Sequence, residues 1–264
     1  MLKSQKAIKY LALVFAFGLI LAIFSSLIAG IYSIISIFTD DSVNTFEEVL
    51  ISDKITNLDI DLGLTNLEIK SGDTFKMTND SDDVYYKIDG STLVIKEKKR
   101  LFKNKKINKV IIYINDKTFN DVNINIDAGK HNIENLRSNN FSLDLGAGKT
   151  VLNNISINSL TEIETDAGTL NINDSILNNL SLKLDAGSSN INAILKGSNE
   201  IDLGAGKLVL SLLDSLDNYT IKLTEDVGRI TLNGEKVTNS TYSNGPSYIE
   251  VEGGAGSIEI KTLN

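Results

Sequence analysis

The sequence of 264 residues contains no cysteine and no tryptophan, and it has only one proline and one histidine. The absence of cysteine excludes a disulfide framework and every metal site that needs thiolate ligands. The single imidazole, His131, is too few for a histidine zinc cluster, and we expect it on a surface turn. A net charge of −8 argues against general nucleic-acid binding, which requires a basic surface.

The N-terminal segment carries three lysines in its first nine residues and then has no charged residue before Asp40. This uncharged stretch exceeds the roughly 20 apolar residues that span a bilayer. The positive-inside rule places the lysine-bearing end in the cytoplasm. We predict a cytoplasmic stub (1–9), a transmembrane helix (10–38), a linker (39–48) and an extracellular domain (49–264). A signal peptide cleaved at the small residues of SSLIAG is the alternative.

The exterior domain contains a repeat: IDAGK, LGAGK, TDAGT, LDAGS and LGAGK follow one another at steps of 19 or 20 residues. Apolar and polar residues alternate on both sides of each glycine, which predicts two strand segments joined by a turn. Looser copies surround Gly63, Gly228 and Gly256. The predicted turn residues are Gly129, Gly148, Gly168, Gly187 and Gly206.

Two repeat folds compete for this pattern. Leucine-rich repeats have a similar period, and LNNLSLKL at 177–184 imitates their core. The other copies do not keep that spacing, so a parallel β-solenoid with about 19–20 residues per rung fits better. The alanine before each turn glycine is expected to point inward, into a tight corner. Strands from Phe46 onward and a hairpin around Pro246 are expected to cap the two ends.

The stretch GAGKT at 146–150 resembles the end of a phosphate-binding P-loop. The P-loop pattern needs a glycine five residues before the last one, where this sequence has Leu143. The following TVLNNISINSL is a poor helix former. Since Lys149 shares its column with Lys130, Thr169, Ser188 and Lys207, we interpret GAGKT as a solvated solenoid corner.

Carboxylates recur on the outward positions before each corner. Clustered carboxylates suit a hard cation such as Ca²⁺, and they could also serve a glycosidase. The Gly-rich calcium repeat is absent, and the acids recur with the repeat instead of converging. We therefore predict no cofactor and no catalytic residue. The weak candidates for a metal site are Asp127, Asp144, Glu164, Asp166 and Asp185.

A basic segment, KEKKRLFKNKKINK at 96–109, contrasts with the acidic chain. It lies between two strand-like runs, which predicts a hairpin tip. Basic residues flanking two apolar ones could contact an anionic surface such as lipid headgroups or wall polymers, and a solvated loop is the alternative. The residues of this possible surface-contact loop are Lys98, Lys99, Arg100, Leu101, Phe102, Lys103, Lys105 and Lys106.

The runs LEIKSGDTFKMTN, GSTLVIKEK and IIYIN, followed by the DAG/GAG rungs, resemble the bacterial putative-adhesin family of β-strand-repeat domains, a domain of unknown function. Members often carry a proline near the middle strand, whereas this chain has INDKTF. The resemblance extends from about Val49 to Ile260. It implies an all-β protein with a single-stranded right-handed β-helix, here in a membrane-anchored form, and it supplies no catalytic residues.

These observations favour a non-enzymatic, adhesin-like extracellular module on the cell membrane, with a cell-envelope polymer or a membrane protein as partner. An accessory or sensor subunit of a cell-envelope-stress signalling system is the second hypothesis, and a polysaccharide-active enzyme is the third. Substitution of 7–38 by an unrelated span would separate the first two, because only signalling depends on helix contacts.

Overall fold

The computed structural model describes residues 44–45, 47–98, 107–225, 228–237 and 240–263. The chain divides into two compact units, Met1–Ser42 and Val43–Asn264, and every described residue belongs to the second. The predicted stub and transmembrane helix lie outside the described residues, as does part of the predicted linker. Within the described ranges, no helix has the length and apolar character needed to cross a membrane.

The described residues form 17 strands of one sheet, with one short 3-10 turn at Leu216–Asn218, so the all-β prediction is confirmed. The strands are β1 (Asn44–Thr45), β2 (Glu48–Leu50), β3 (Asn57–Ser71), β4 (Lys76–Asn79), β5 (Val84–Asp89), β6 (Thr92–Glu97), β7 (Asn108–Ile114), β8 (Thr118–Glu134), β9 (Arg137–Asn153), β10 (Ser156–Asn178), β11 (Leu180–Lys196), β12 (Ser198–Ser215), β13 (Tyr219–Glu225), β14 (Arg229–Leu232), β15 (Glu235–Lys236), β16 (Ser240–Tyr242) and β17 (Ser247–Leu263).

The five central strands, β8 to β12, pair in parallel and in chain order. Residues at the same position of successive repeats are direct partners, so Gly148 pairs with Gly129 on one side and with Gly168 on the other. The sequence period therefore equals one rung of the stack, as the repeat predicts. The right hand of the coil stays a prediction.

The core is built by rows of apolar side chains that point into the stack. One such row contains side chains that are at most 2% exposed: Ile124, Leu143, Ile163, Leu182, Ile201 and Val251. Full burial of one such side chain contributes roughly 1.5–3 kcal/mol. Because a single rung has no apolar partner of its own, this contribution depends on the neighbouring rungs.

The N-terminal end departs from chain order. Strand β3 lies inside the stack, paired with β8 on one side and with both β6 and β7 on the other. Strand β6 pairs with the first half of β3 and β7 with the second half. The end rung is thus divided into two strands, and the antiparallel strands β5 and β4 pair with their outer edges.

The C-terminal end has the same arrangement. Strand β17 lies between β12 and a divided end rung made of β13 and β14. The antiparallel strands β16 and β15 pair with the outer edges of these two. Each end is therefore a broken rung backed by short antiparallel strands, which limits the exposed edge that another chain could extend.

Candidate interaction surface at the corner of the stack

Every central strand bends at a glycine, and we call this bend the corner. The five predicted turn glycines stand in one register row, and Gly256 extends it. The five have φ between +130° and +154°, a conformation that residues with a Cβ rarely adopt. A Cβ on Gly168 would lie 2.2 Å from the carbonyl oxygen of Gly148. Glycine is thus required by both the backbone conformation and the close stacking of rungs.

The expectation that the corner alanines point inward is wrong. In β9, Leu145 and Thr150 are buried at 5% and 2% exposure, and the four residues between them, Gly146–Lys149, lie outside the core. The bend interrupts the in-out alternation, so Ala147 is exposed, as are Ala167, Ala186 and Ala205. GAGKT therefore lies within a strand, with Lys149 exposed.

Gly63 does not lie in the column of the turn glycines. Leu64 pairs with Ala128, which places Gly63 in the column of Asp127 instead of the column of the turn glycines. The backbone N–H of Gly63 donates a hydrogen bond to Glu97 Oε2 at 2.8 Å. The same oxygen accepts from the Thr65 hydroxyl at 2.7 Å. Glu97 thus binds the β3 corner at the point where the end rung is broken.

Three outward rows before the corner form a surface that we call the acidic face. Its carboxylates are half-buried or exposed and come from seven successive rungs: Asp59, Asp61, Asp127, Asp144, Glu162, Glu164, Asp166, Asp185, Glu200, Asp202, Glu250 and Glu252. Glu164 is the direct register partner of Asp144. Burial raises the pKa of Asp144, and the neighbouring carboxylates Glu164, Asp166 and Asp127 raise it further.

Two lysines on the acidic face are paired with its carboxylates. Lys183 Nζ lies 2.6 Å from Glu164 Oε1 and 3.5 Å from Asp185 Oδ1. The bond to Glu164 is the main cause of a raised pKa of Lys183. Lys222 forms an ion pair with Glu250. These pairs offset part of the repulsion between stacked carboxylates.

The five weak metal candidates are spread over two of these rows. Asp144 and Glu164 are partners in one row, whereas Asp127, Asp166 and Asp185 belong to the row nearest the corner. Within the described part of the chain, no group of three or more histidine, aspartate or glutamate side chains is arranged to hold a metal ion.

The first outward row after the corner has the opposite charge, and we call it the cation row. Its members are register partners in neighbouring strands, and they carry positive, hydroxyl or amide groups: Lys109, Asn66, Lys130, Lys149, Thr169, Ser188, Lys207, Ser257 and Arg229. Lys109 and Arg229 are not predicted in this row by the repeat, since their place depends on how the broken end rungs pair. The feature that could have identified them as members of this row is their strand position directly after the bend.

The rows beyond the cation row are rich in asparagine. Asn173 Nδ2 donates to Asn153 Oδ1 at 2.8 Å, and Asn192 Nδ2 donates to Asn173 Oδ1 at 3.3 Å. In a parallel row, Asn190 Nδ2 donates to Asn171 Oδ1 at 3.1 Å. Stacked amides can both donate and accept, so this face joins neighbouring rungs by side-chain hydrogen bonds.

His131 does not lie on a surface turn, so that expectation is wrong. It is 3% exposed and points into the core, whereas the preceding Lys130 is exposed. The second residue after each turn glycine points inward in this register. Neither ring nitrogen has a hydrogen-bond partner among the described residues. Burial lowers the pKa of His131 to about 4, so the imidazole is neutral at pH 7.

The two described ends of the basic segment, 96–98 and 107–109, lie at the broken N-terminal corner. Lys98 is exposed, and its N–H donates to the carbonyl of Asp83 at 2.8 Å. The remaining predicted contact residues lie outside the described residues: Lys99, Arg100, Leu101, Phe102, Lys103, Lys105 and Lys106. The flanking strands β6 and β7 do not form a hairpin, because both pair in parallel with β3. Asn108 Nδ2 donates to Glu97 Oε1 at 2.9 Å and ties the two ends of the segment together.

The stacked rungs, the glycine corner and the divided ends define an all-β repeat domain. The Toastrack DUF4097 family model matches residues 55–248. This chain belongs to the Toastrack DUF4097 family, as the resemblance to the putative-adhesin domains implied.

Three solved structures are similar to this chain. A putative cell adhesion protein from Clostridium sporogenes is 16% identical, with 84% of this chain and 100% of that chain covered and a TM-score of 0.36. A putative adhesin from Bacteroides fragilis is 10% identical, with 85% and 98% covered and a TM-score of 0.26. A putative adhesin from Parabacteroides merdae is 14% identical, with 83% and 96% covered and a TM-score of 0.22. No curated protein matches the chain.

Proposed function

We propose that this chain is a membrane-anchored, extracellular, non-enzymatic interaction module that contacts a component of the cell envelope. The observation that carries the proposal is the register of the outer rows. Exposed polar side chains repeat at rung spacing, about 4.8 Å, on both sides of the corner. A linear array on a packed scaffold suits a linear or repetitive partner.

The two outer surfaces support recognition by charge. The acidic face presents carboxylates from seven rungs, and the cation row lies on the opposite side of the corner. Single exposed ion pairs contribute only about 0–1 kcal/mol. Several such contacts in register can be made by one polymer, so the weak contacts add within one binding event. Either an envelope polymer or a membrane protein could offer such contacts.

The membrane anchor and the exterior location are part of the proposal. They rest on the uncharged stretch from Tyr10 to Thr39, which follows a lysine-bearing start. A helix in this stretch would hold the domain outside the membrane, with the lysines in the cytoplasm. The right-handed coil expected from the family resemblance belongs to the proposal as well. The proposed interaction module requires no cofactor.

The test uses the full-length chain in zwitterionic vesicles. We expect the vesicles to be retained on purified cell wall or on a discrete membrane protein, and empty vesicles of the same composition to pass through. The chain should stay in the membrane fraction after alkaline carbonate extraction. Loss of retention, or release into the supernatant, would contradict the contact or the anchor respectively.

A companion variant separates the module from a signalling subunit. Residues 7–38 are replaced by an unrelated membrane span of the same length, and the retention assay is repeated. We expect retention to be unchanged, because contact with the envelope is assigned to the exterior domain. Retention that is lost only in this variant would favour action through helix contacts.

A further inference from the structure

The cation row differs from the acidic face in the sign of its charge and in how its lysines are paired. Its five charged members are Lys109, Lys130, Lys149, Lys207 and Arg229, and all five are exposed. No member of the row is acidic. From Lys109 to Arg229 the row crosses eight rung steps, or roughly 38 Å at the usual strand spacing.

Four of these five cations form no ion pair with another residue that the structure describes. Lys109 Nζ lies 2.8 Å from Glu68 Oε1, whereas no ion pair within the described ranges involves Lys130, Lys149, Lys207 or Arg229. By contrast, Lys183 and Lys222 on the acidic face are both paired. The charge of the cation row is therefore available to an external anion.

The positions between the cations can also bind an anion. Thr169 and Ser188 occupy the two rungs between Lys149 and Lys207, and their hydroxyl oxygens lie 3.5 Å apart. Ser257 separates Lys207 from Arg229. Hydroxyl groups donate hydrogen bonds to phosphate oxygens, so the row can contact a phosphate chain between its charged members.

The surface beside the row lets a polymer approach the backbone. The adjacent positions on the corner hold only glycine and small alanine side chains in the central rungs, as at Ala147 and Gly148. On the corner side of the cation row, the nearest acidic row, with Asp127, Asp166 and Asp185, lies three residues back, about 10 Å along the backbone path. This distance is close to one Debye length at physiological salt, so the aspartates would confine an anionic chain to the lysine side.

We propose that the cation row binds a linear phosphodiester polymer of the envelope, which lies along the corner across the rungs. This inference rests on the proposed function and names the chemistry of one partner. The polymer recognised is one without nucleobases, because no member of the row is an aromatic residue on which a base could stack.

The experiment measures binding of poly(glycerol phosphate) to the full-length chain in zwitterionic vesicles at low and physiological salt. The test variant combines Lys130→Gln, Lys149→Gln, Lys207→Gln and Arg229→Gln. The matched control removes four positive charges from lysines that form ion pairs with Glu68, Glu164, Glu250 and Glu259. Its substitutions are Lys70→Gln, Lys183→Gln, Lys222→Gln and Lys261→Gln. A third variant combines Asp127→Asn, Asp166→Asn and Asp185→Asn. Circular dichroism is measured to check that each variant keeps its strand content.

The expected result has three parts. The test variant binds the polymer about tenfold or more weakly and loses most of the salt dependence. The matched control stays within about twofold to threefold of the unmodified chain. The aspartate variant binds about twofold more tightly, because the nearest repulsive row is gone.

Four results would overturn the inference: no binding of the polymer by the unmodified chain, an equal loss in the test variant and the control, weaker binding by the aspartate variant, or equal affinity for single-stranded DNA and the polymer. Retention on whole cell wall is measured in parallel. If wall retention persists while the polymer does not bind, the cation row is not the contact and the proposed function stands. If neither the polymer nor the cell wall is bound and no membrane protein retains the vesicles, both proposals fail.

Discussion

The two surfaces that meet at the corner share one backbone and one register but have different chemistry. Before the corner, carboxylates stack on carboxylates, as Glu164 does on Asp144. After the corner, amides and hydroxyls stack and join the rungs by hydrogen bonds, as Asn173 does with Asn153. The buried apolar rows and the corner glycines are common to both surfaces, whereas the outer rows differ in charge and in hydrogen bonding.

The largest expected effect is at the corner itself, which holds both surfaces in register. Gly168→Ala would place a Cβ 2.2 Å from the Gly148 carbonyl oxygen and would force a strained φ of +139°. We expect the free energy of unfolding to fall by about 3 kcal/mol, measured by urea denaturation.

Its control is the neighbouring Ala167→Leu, which adds a large side chain on the exposed side of the same corner. We expect a change within about 0.5 kcal/mol. A large loss in Ala167→Leu, with little change in Gly168→Ala, would mean that the corner is inverted relative to this structure.

The second prediction concerns the core beneath the cation row, at His131. Burial lowers its pKa to about 4 in the folded chain, against about 6.5 unfolded. The unfolded state then binds more protons below pH 6.5, so stability falls as pH drops from 6.5 to about 4. The loss should reach about 3 kcal/mol at the lower end.

The measurement is the free energy of unfolding across this pH window for the unmodified chain and for His131→Leu. Leucine occupies the same inward row at Leu170 and Leu208, where both are buried. The variant should lose the dependence between pH 6.5 and 4. An unchanged slope in His131→Leu would assign the effect to other groups.

The third prediction tests the amide surface. Asn173→Ala removes the hydrogen bonds to Asn153 and Asn192. We expect a loss of about 1 kcal/mol in the free energy of unfolding, with little dependence on salt because the bonds are between neutral groups. Thermal denaturation at two salt concentrations checks both statements, and a loss that disappears at high salt would contradict them.

The smallest effect is expected on the acidic face and has the opposite sign. Asp144→Asn removes a carboxylate whose pKa is raised first by burial and then by Glu164, Asp166 and Asp127. An amide is accepted in this row at Asn125. We expect a gain of about 0.5 kcal/mol at pH 7 and low salt, after allowance for solvent screening. A loss of stability would show that the carboxylate contributes favourably.

Much of the fold follows from the sequence because the repeat and the in-out alternation are local patterns. The turn glycines, the buried rows at Ile163 and Leu182, and the stacking of β8 to β12 are all readable in this way. The outward orientation of the corner alanines could not be predicted, because four successive outward positions interrupt the in-out alternation. His131 was misplaced for the same reason, since its row points inward again directly after the bend.

The pairing of the strands at the two ends of the stack could not be predicted from their order in the chain. Both DVGR at 226–229 and GGAGS at 253–257 resemble the repeat, yet only the second pairs with β12. A signal was present: GGAGS keeps the alanine and glycine of the central copies, whereas DVGR has valine before its glycine. The cation row depends on these ends, because Lys109 and Arg229 join it through the divided rungs.

Among the described strands, the order in the sheet departs from the order in the chain only at the two ends. This has a consequence for how the domain could change in length. Each of the interior strands β8 to β12 pairs with only two other described strands, its neighbours in the stack. One repeat could be duplicated or deleted there without altering either divided end, and each event would change the length by about 4.8 Å. The length of the stack can therefore change by whole rungs while the two divided ends stay the same.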